Sequence, residues 1–141
     1  MALNQIVLID TSAWICFFAR KGFDALKRSI FILLDENRAA IIGPILVEMI
    51  QGCRTEAERN DLNEVFGTLH RFAVAEELWD AAADLSFSLR RKGITSSVVD
   101  SLIAAAAIRY QLSLLHHDSD FDRIARYSDL TIFKTDHRPE G

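Results

Sequence analysis

The stretch VVDSLIAAAAIRYQLSLLHHDSDFDRIARY, residues 98–127, decides the fold. Its first part is rich in alanine and apolar on nearly every side, which predicts a helix over 97–111 that lies centrally rather than at the surface. LSLLHH (112–117) reads as a strand and SDFDRIARY (119–127) as a short helix.

Working outward, the same alternation covers the chain. IVLI (6–9) is β-branched at three of its four positions and reads as a strand buried on both faces. Thr11 or Ser12 can cap a helix through AWICFFAR (13–20). Phe23, Leu26, Ile30, Leu33 and Leu34 have helical spacing within 23–37. AAII (39–42) predicts a second strand, broken at Gly43-Pro44; Pro44 suits the first turn of a helix that ends near Gly52. An amphipathic helix follows over 55–69, with Leu62, Val65, Phe66 and Leu69 inward. HRFAV (70–74) is a further strand, 76–93 a long helix closed by Gly93, and LTIFK (130–134) a last strand. No repeat, linker or low-complexity tract interrupts the series. Strands alternating with helices imply a parallel sheet covered on both faces, a three-layer α/β domain spanning 1–141.

The chain has 141 residues, enough for one such domain, and 50% are hydrophobic, enough for a core. No apolar run reaches the roughly 20 residues of a membrane helix, and MALNQ lacks the basic start of a secretory signal, so a cytoplasmic protein is expected. Cys16 and Cys53 lack metal-type spacing and read as small buried hydrophobes rather than a disulfide. The net charge of -4 speaks against passive binding of nucleic acid over the whole surface. It does not exclude a nuclease, whose carboxylates are neutralised by metals in use.

In α/β sheets functional groups gather where the carboxyl ends of strands meet the next helices. Asp10 ends the first strand; Asp118 follows LSLLHH, with Asp120 two residues on. Glu48 and Asp100 each lie about one turn into a helix, among apolar neighbours. Alone, Asp10 and Asp120 are equally well helix caps. Glu48 and Asp100 are expected on core-like helix faces, where an unpaired carboxylate costs several kcal/mol, roughly, unless paired, protonated or metal-bound. No lysine or arginine stands three or four residues from either. Converging carboxylates repel one another, a divalent cation relieves that repulsion, and hard oxygen donors without cysteine select Mg²⁺ or Mn²⁺. The chemistry such ions suit is phosphoryl transfer. His116 and His117 beside Asp118 leave a softer metal as an alternative, although nothing else resembles a zinc site.

At these residues the chain resembles a PIN-domain ribonuclease, in particular a VapC toxin of a toxin–antitoxin pair. The resemblance rests on LIDTSAW, GPILVEMIQG, and LRRKGITSSVVDSLIAAAAI continuing into LSLLHHDSDFDRIA, which together cover most of the chain. It implies four family acids, Asp10, Glu48, Asp100 and Asp118, as metal ligands and catalytic residues. Asp120 matches an acid less often in direct contact with the metal, and Ser12 the hydroxyl that supports the site. The resemblance further implies a parallel sheet flanked by helices, Mg²⁺ (or Mn²⁺), hydrolysis of tRNA or ribosomal RNA to 5′-phosphate and 3′-hydroxyl ends, a homodimer, and a VapB-type antitoxin. His116 departs from the family, where threonine or serine is common. Trp14, Phe17 and Phe18 read as core, or as part of an apolar groove for an antitoxin helix. The LRRKG cluster reads as a solvated helix end, or as Arg90, Arg91 and Lys92 contacting the RNA backbone.

Two other readings compete. A phosphatase or phospho-acceptor with Asp10 as nucleophile would need an acid where Ser12 stands, or beside Asp10 where Ile9 stands. A non-catalytic PIN-like module binding RNA or protein would be expected to lose acids that this chain keeps.

Overall fold

In the computed structural model, which describes residues 5–135, the first aliphatic run becomes β1 (Val7–Ile9), wholly buried. It pairs in parallel with β2 (Ala39–Ile42) on one side and β4 (Ser113–Leu115) on the other. β3 (His70–Phe72) pairs with β2, so the parallel sheet runs β3-β2-β1-β4. The register sets Leu8 against Ala40 and Leu114. β1 and β2, with partners on both sides and helices above and below, are buried at every position, and so is β4, whose outer side meets only a single bridge.

α1 (Thr11–Phe17) and α2 (Asp24–Asp35) connect β1 to β2, and α3 (Gly43–Gln51) and α4 (Glu56–Phe66) connect β2 to β3. The return from β3 to β4 runs through α5 (Glu76–Arg91) and α6 (Val98–Arg109), and α7 (Ser119–Arg126) follows β4. Travel along the sheet reverses on that return, so right-handed crossovers put α1–α4 on one face and α5–α6 on the other. The helix contacts agree: α1 packs on α2 and α3, α3 on α4, and α6 on both α5 and α7. α6 is buried at every residue from Ser101 to Ala107. Its alanines let neighbouring helices approach closely, and Leu78, Ala82 and Leu89 of α5 fill that face at helical spacing.

Local chemistry sets the element ends. Pro44 stands in the first turn of α3. Thr55 caps α4 by accepting from the Glu58 amide at 3.1 Å, while Glu58 accepts from the Arg54 amide at 2.8 Å. Gly93 takes φ +85° just after α5. Trp14 is fully buried as expected; its indole N–H has no hydrogen-bond acceptor among the described residues, and Phe17 and Phe66 stand edge-to-face to its ring. Cys16 and Cys53 are both free, the first buried and the second half-buried.

One expected strand is corrected. LTIFK forms only a single parallel bridge between Leu114 and Ile132, held by Leu114 N donating to Thr131 O and Phe133 N donating to Leu114 O, at 2.9 and 2.8 Å. β4 itself is three residues long, so it offers its outer neighbour little more than one repeat of pairing. Among the described residues no helix is long and apolar enough to cross a membrane.

Candidate active site

The strand order changes direction at β1, and the loops after β1 and β4 therefore part to leave a crevice at their carboxyl ends. Asp10 and Asp118 occupy those two loops. Asp10 N donates to Leu115 O at 2.9 Å, carrying the sheet one residue past β1. The Asp10 side chain is 5% exposed and caps α1, its Oδ2 accepting from the Ser12 amide at 3.0 Å and the Ser12 hydroxyl at 2.6 Å. Ser12 Oγ in turn accepts from the His117 amide at 2.9 Å. One hydroxyl thus joins the ends of two neighbouring strands.

Asp118 caps α7, its Oδ1 accepting from the Asp120 amide at 3.0 Å. Its own amide donates to His116 Nδ1 at 3.0 Å, and His116 Nε2 faces Asp122 Oδ1 at 3.2 Å. Nδ1 is therefore the acceptor nitrogen and Nε2 the protonated one. Asp120, exposed in the first turn of α7, is ion-paired with Arg123 one turn on.

Asp100 reaches the same crevice from the first turn of α6. Its amide donates to the Ser97 hydroxyl that caps the helix, at 3.0 Å. One carboxylate oxygen from each of Asp100, Asp118 and Asp120 lies within 4.8 Å of the others. Burial, and then the charges of Asp10, Asp118 and Asp120, push the Asp100 carboxyl up to about 6 from an ordinary 3.8, against the opposing pull of the Ser97 hydroxyl. Asp10 ranks first among those charges, so it belongs to the same electrostatic neighbourhood.

Glu48 differs from expectation. It is exposed, not set on a core-like face, and it stands outside the three-carboxylate group. α3 buries Ile45 and Met49, one turn apart, which turns Val47 and Glu48 toward solvent. Glu48 Oε1 accepts from the Thr11 hydroxyl at 2.9 Å, which ties it to the loop that carries Asp10. Arg90, Arg91 and Lys92 are exposed at the end of α5. Arg91 lies over Phe87, and Lys92 over Tyr127 just beyond α7, the opposite end from Asp120. The loop that leaves them returns to the crevice: Gly93–Ser96, Asp120 and Arg123 line a small cleft.

Three contributors escaped the reading of the sequence. Ser97 was signalled by its place three residues before Asp100, a capping spacing. Arg123 was signalled by its i,i+3 relation to Asp120. Thr11 carried no signal for its bond to Glu48, since 37 residues separate the two.

The donor set fits a hard divalent cation. The clustered ligands are all carboxylates, their mutual repulsion is registered in Asp100, and both imidazole nitrogens of His116 are already engaged.

Comparison with known proteins places the chain in a family. The PIN domain family matches residues 7–127. Over 128 residues the chain is 36% identical to Ribonuclease VapC11 of Mycobacterium tuberculosis, covering 89% of this chain and 96% of the relative. The chain is a PIN-domain protein of the VapC ribonuclease family. Solved VapBC structures share its fold at low identity. A chain of VapBC2 from Rickettsia felis, bound to a promoter DNA fragment, superposes with a TM-score of 0.76 at 20% identity, covering 94% of this chain and 100% of that one. A chain of DNA-bound VapBC from Salmonella typhimurium gives 0.75 at 17% identity, with coverage of 92% and 97%. The PIN-domain match takes in Asp10, Glu48, Asp100, Asp118 and Asp120.

Proposed function

We propose that this chain is a toxic, divalent-metal-dependent endoribonuclease of a VapBC-type pair. The observation that carries the reading is the group of Asp100, Asp118 and Asp120 oxygens within 4.8 Å, next to a buried Asp10, at the sheet's switch point in a VapC-family chain. Asp10, Asp100 and Asp118 hold Mg²⁺ or Mn²⁺, with Asp120 close enough to join them and Glu48 acting from the rim. A cation bound there supplies an activated water and neutralises charge on the scissile phosphodiester.

The chain's own groups do the positioning. Ser12, through its amide and its hydroxyl, aims Asp10, Ser97 fixes the first turn of α6, and the His116 imidazole holds the Asp118 turn by accepting from the Asp118 amide. Asp100 keeps a proton up to about pH 6 in the metal-free site and must release it for the cation to bind. Cleavage leaves 5′-phosphate and 3′-hydroxyl ends on a tRNA or ribosomal RNA in the cytoplasm. Arg90, Arg91 and Lys92, at the mouth of the 93–96 loop, contact the RNA backbone. A VapB-type antitoxin silences the enzyme, its apolar side resting on the exposed rings of Phe18 and Phe31, and the toxin works as a homodimer.

The test is cleavage of total RNA by the purified chain, freed of any partner, with Mg²⁺ or Mn²⁺. Wild type is expected to cut; Asp10→Asn and Asp100→Asn are expected to lose activity at least about 100-fold while keeping their fold. Absence of cutting by wild type with either metal would overturn the reading.

A further inference from the structure

Next to the acid group, and sharing Asp118 with it, lies an open cleft of about 630 Å³. Asp118, Phe23 and His117 are among the residues that line it. Phe23 has φ +59° and ψ +37°, a left-handed conformation that a bulky side chain rarely adopts. Gly22, immediately before it, is left-handed too, at φ +84°. Two such residues in succession turn the chain sharply into α2.

Strain of this kind persists where the surroundings or a function require it. Core packing does not account for it, because Phe23 is 42% exposed. What the ring does meet is the imidazole of His117, edge-to-face, with centroids 5.3 Å apart and planes at 77°. In an edge-to-face pair, the ring that presents its edge keeps both of its faces out of the contact. His117 is in turn fixed by its backbone, through the bond from its amide to Ser12 Oγ, and it directly precedes Asp118.

We infer that Phe23 and His117 are a stacking platform for an unpaired base of the RNA, beside the nucleotide whose phosphate lies at the acid group. This rests on the ribonuclease reading above and adds a binding subsite to it. The lining decides between a base and a phosphate: Asp24, Asp118 and Asp122 face the cleft against the single cation Lys134 among its described residues. A second phosphate would be repelled there, whereas a neutral flat base is not. Proteins that hold single-stranded RNA pair a site for the backbone with aromatic rings on which splayed bases stack. Here the acid group is the first part and the Phe23–His117 pair the second.

The experiment uses the full chain carrying Asp10→Asn, so that RNA stays intact, and single-stranded RNA 12-mers with 2-aminopurine stepped along the sequence. Stacking quenches that fluorophore. One position is expected to lose emission on binding. Phe23→Leu and His117→Ala should each weaken binding by roughly tenfold or more and remove the quenching, and Phe23→Tyr should restore both. Phe23→Gly suits the left-handed backbone; it is expected to keep a near-native Tm and still lose RNA affinity. Mn²⁺ affinity, measured by calorimetry with Asp10 restored, should be unchanged in all four. Wild-type RNA affinity in Phe23→Leu and His117→Ala overturns the platform and leaves the ribonuclease reading intact. So does a loss of RNA affinity that tracks a loss of Mn²⁺ affinity, which would make the pair a structural support of the metal site. A wild-type chain that neither binds nor cuts RNA overturns both.

Discussion

Asp100 is the residue in which the site's electrostatics are concentrated. Its carboxyl titrates near 6 in the fold and near 3.8 in an unfolded chain, so between those values the folded state holds more protons. The metal-free protein is therefore most favoured, as far as this group goes, below pH 4, and loses stability as pH rises through 6. Linkage alone would make that loss about 3 kcal/mol, and solvent screening at a half-buried carboxyl reduces it to about 1 kcal/mol. Asp100→Asn is expected to melt higher than wild type at pH 7–8 in EDTA and at the same temperature near pH 4; calorimetric scans across that range check it. A wild-type Tm that rises between pH 4 and 6 relative to the variant would contradict it. Asp10 and Asp118 stood out in the sequence because each follows a short apolar strand run, and Asp100 because it stands among apolar residues in a helix. Glu48 was misread at the same scale. Its neighbours in sequence are apolar, but which of them face inward depends on helix phase, and Ile45 and Met49 took the buried positions.

At the scale of elements, the site depends on two strand ends being held together. Ser12 does this by donating to Asp10 and accepting from the His117 amide, 105 residues away. Ser12→Ala leaves that amide without its acceptor and Asp10 with one donor fewer, and should cost about 1–2 kcal/mol. A lower urea midpoint with an unchanged m-value is the expected reading, together with weaker Mn²⁺ binding; Ser12→Thr should recover much of both. An unchanged midpoint would show that water replaces the hydroxyl at no cost. Helices were the more legible elements, since α2, α5 and α6 span three turns or more, α2 and α5 showing their periodicity and α6 a long alanine-rich apolar run. Strands of three or four residues give too few alternations to place their ends. The run at 130–134 has strand composition, yet how much of it pairs is set by the short neighbour it would extend.

For the whole molecule, alternation of strands and helices was enough to expect a parallel sheet, but the order β3-β2-β1-β4 was not written in any local pattern. It follows from where the return through α5 and α6 lands, which is a matter of packing. That order is what brings acids from both ends of the chain to one crevice. Since the unfolded chain has no such crevice, a cation that binds it must stabilise the fold by mass action. Mn²⁺ at about 100 times its Kd should add about 2.7 kcal/mol, roughly 10 °C in Tm for a domain of this size. Thermal melts with and without Mn²⁺ measure it, and Asp100→Asn should show little of the rise. α6 bears on how proteins of this kind diverge. A helix with seven successive buried residues tolerates almost no exchange of volume, so the acid at its start is fixed along with it. The rim is under no such restriction: a Cβ at Gly22 or Gly93 would meet nothing within 4 Å, and only the left-handed backbone resists one. The rim therefore leaves more room for substitution than the buried helix that carries Asp100.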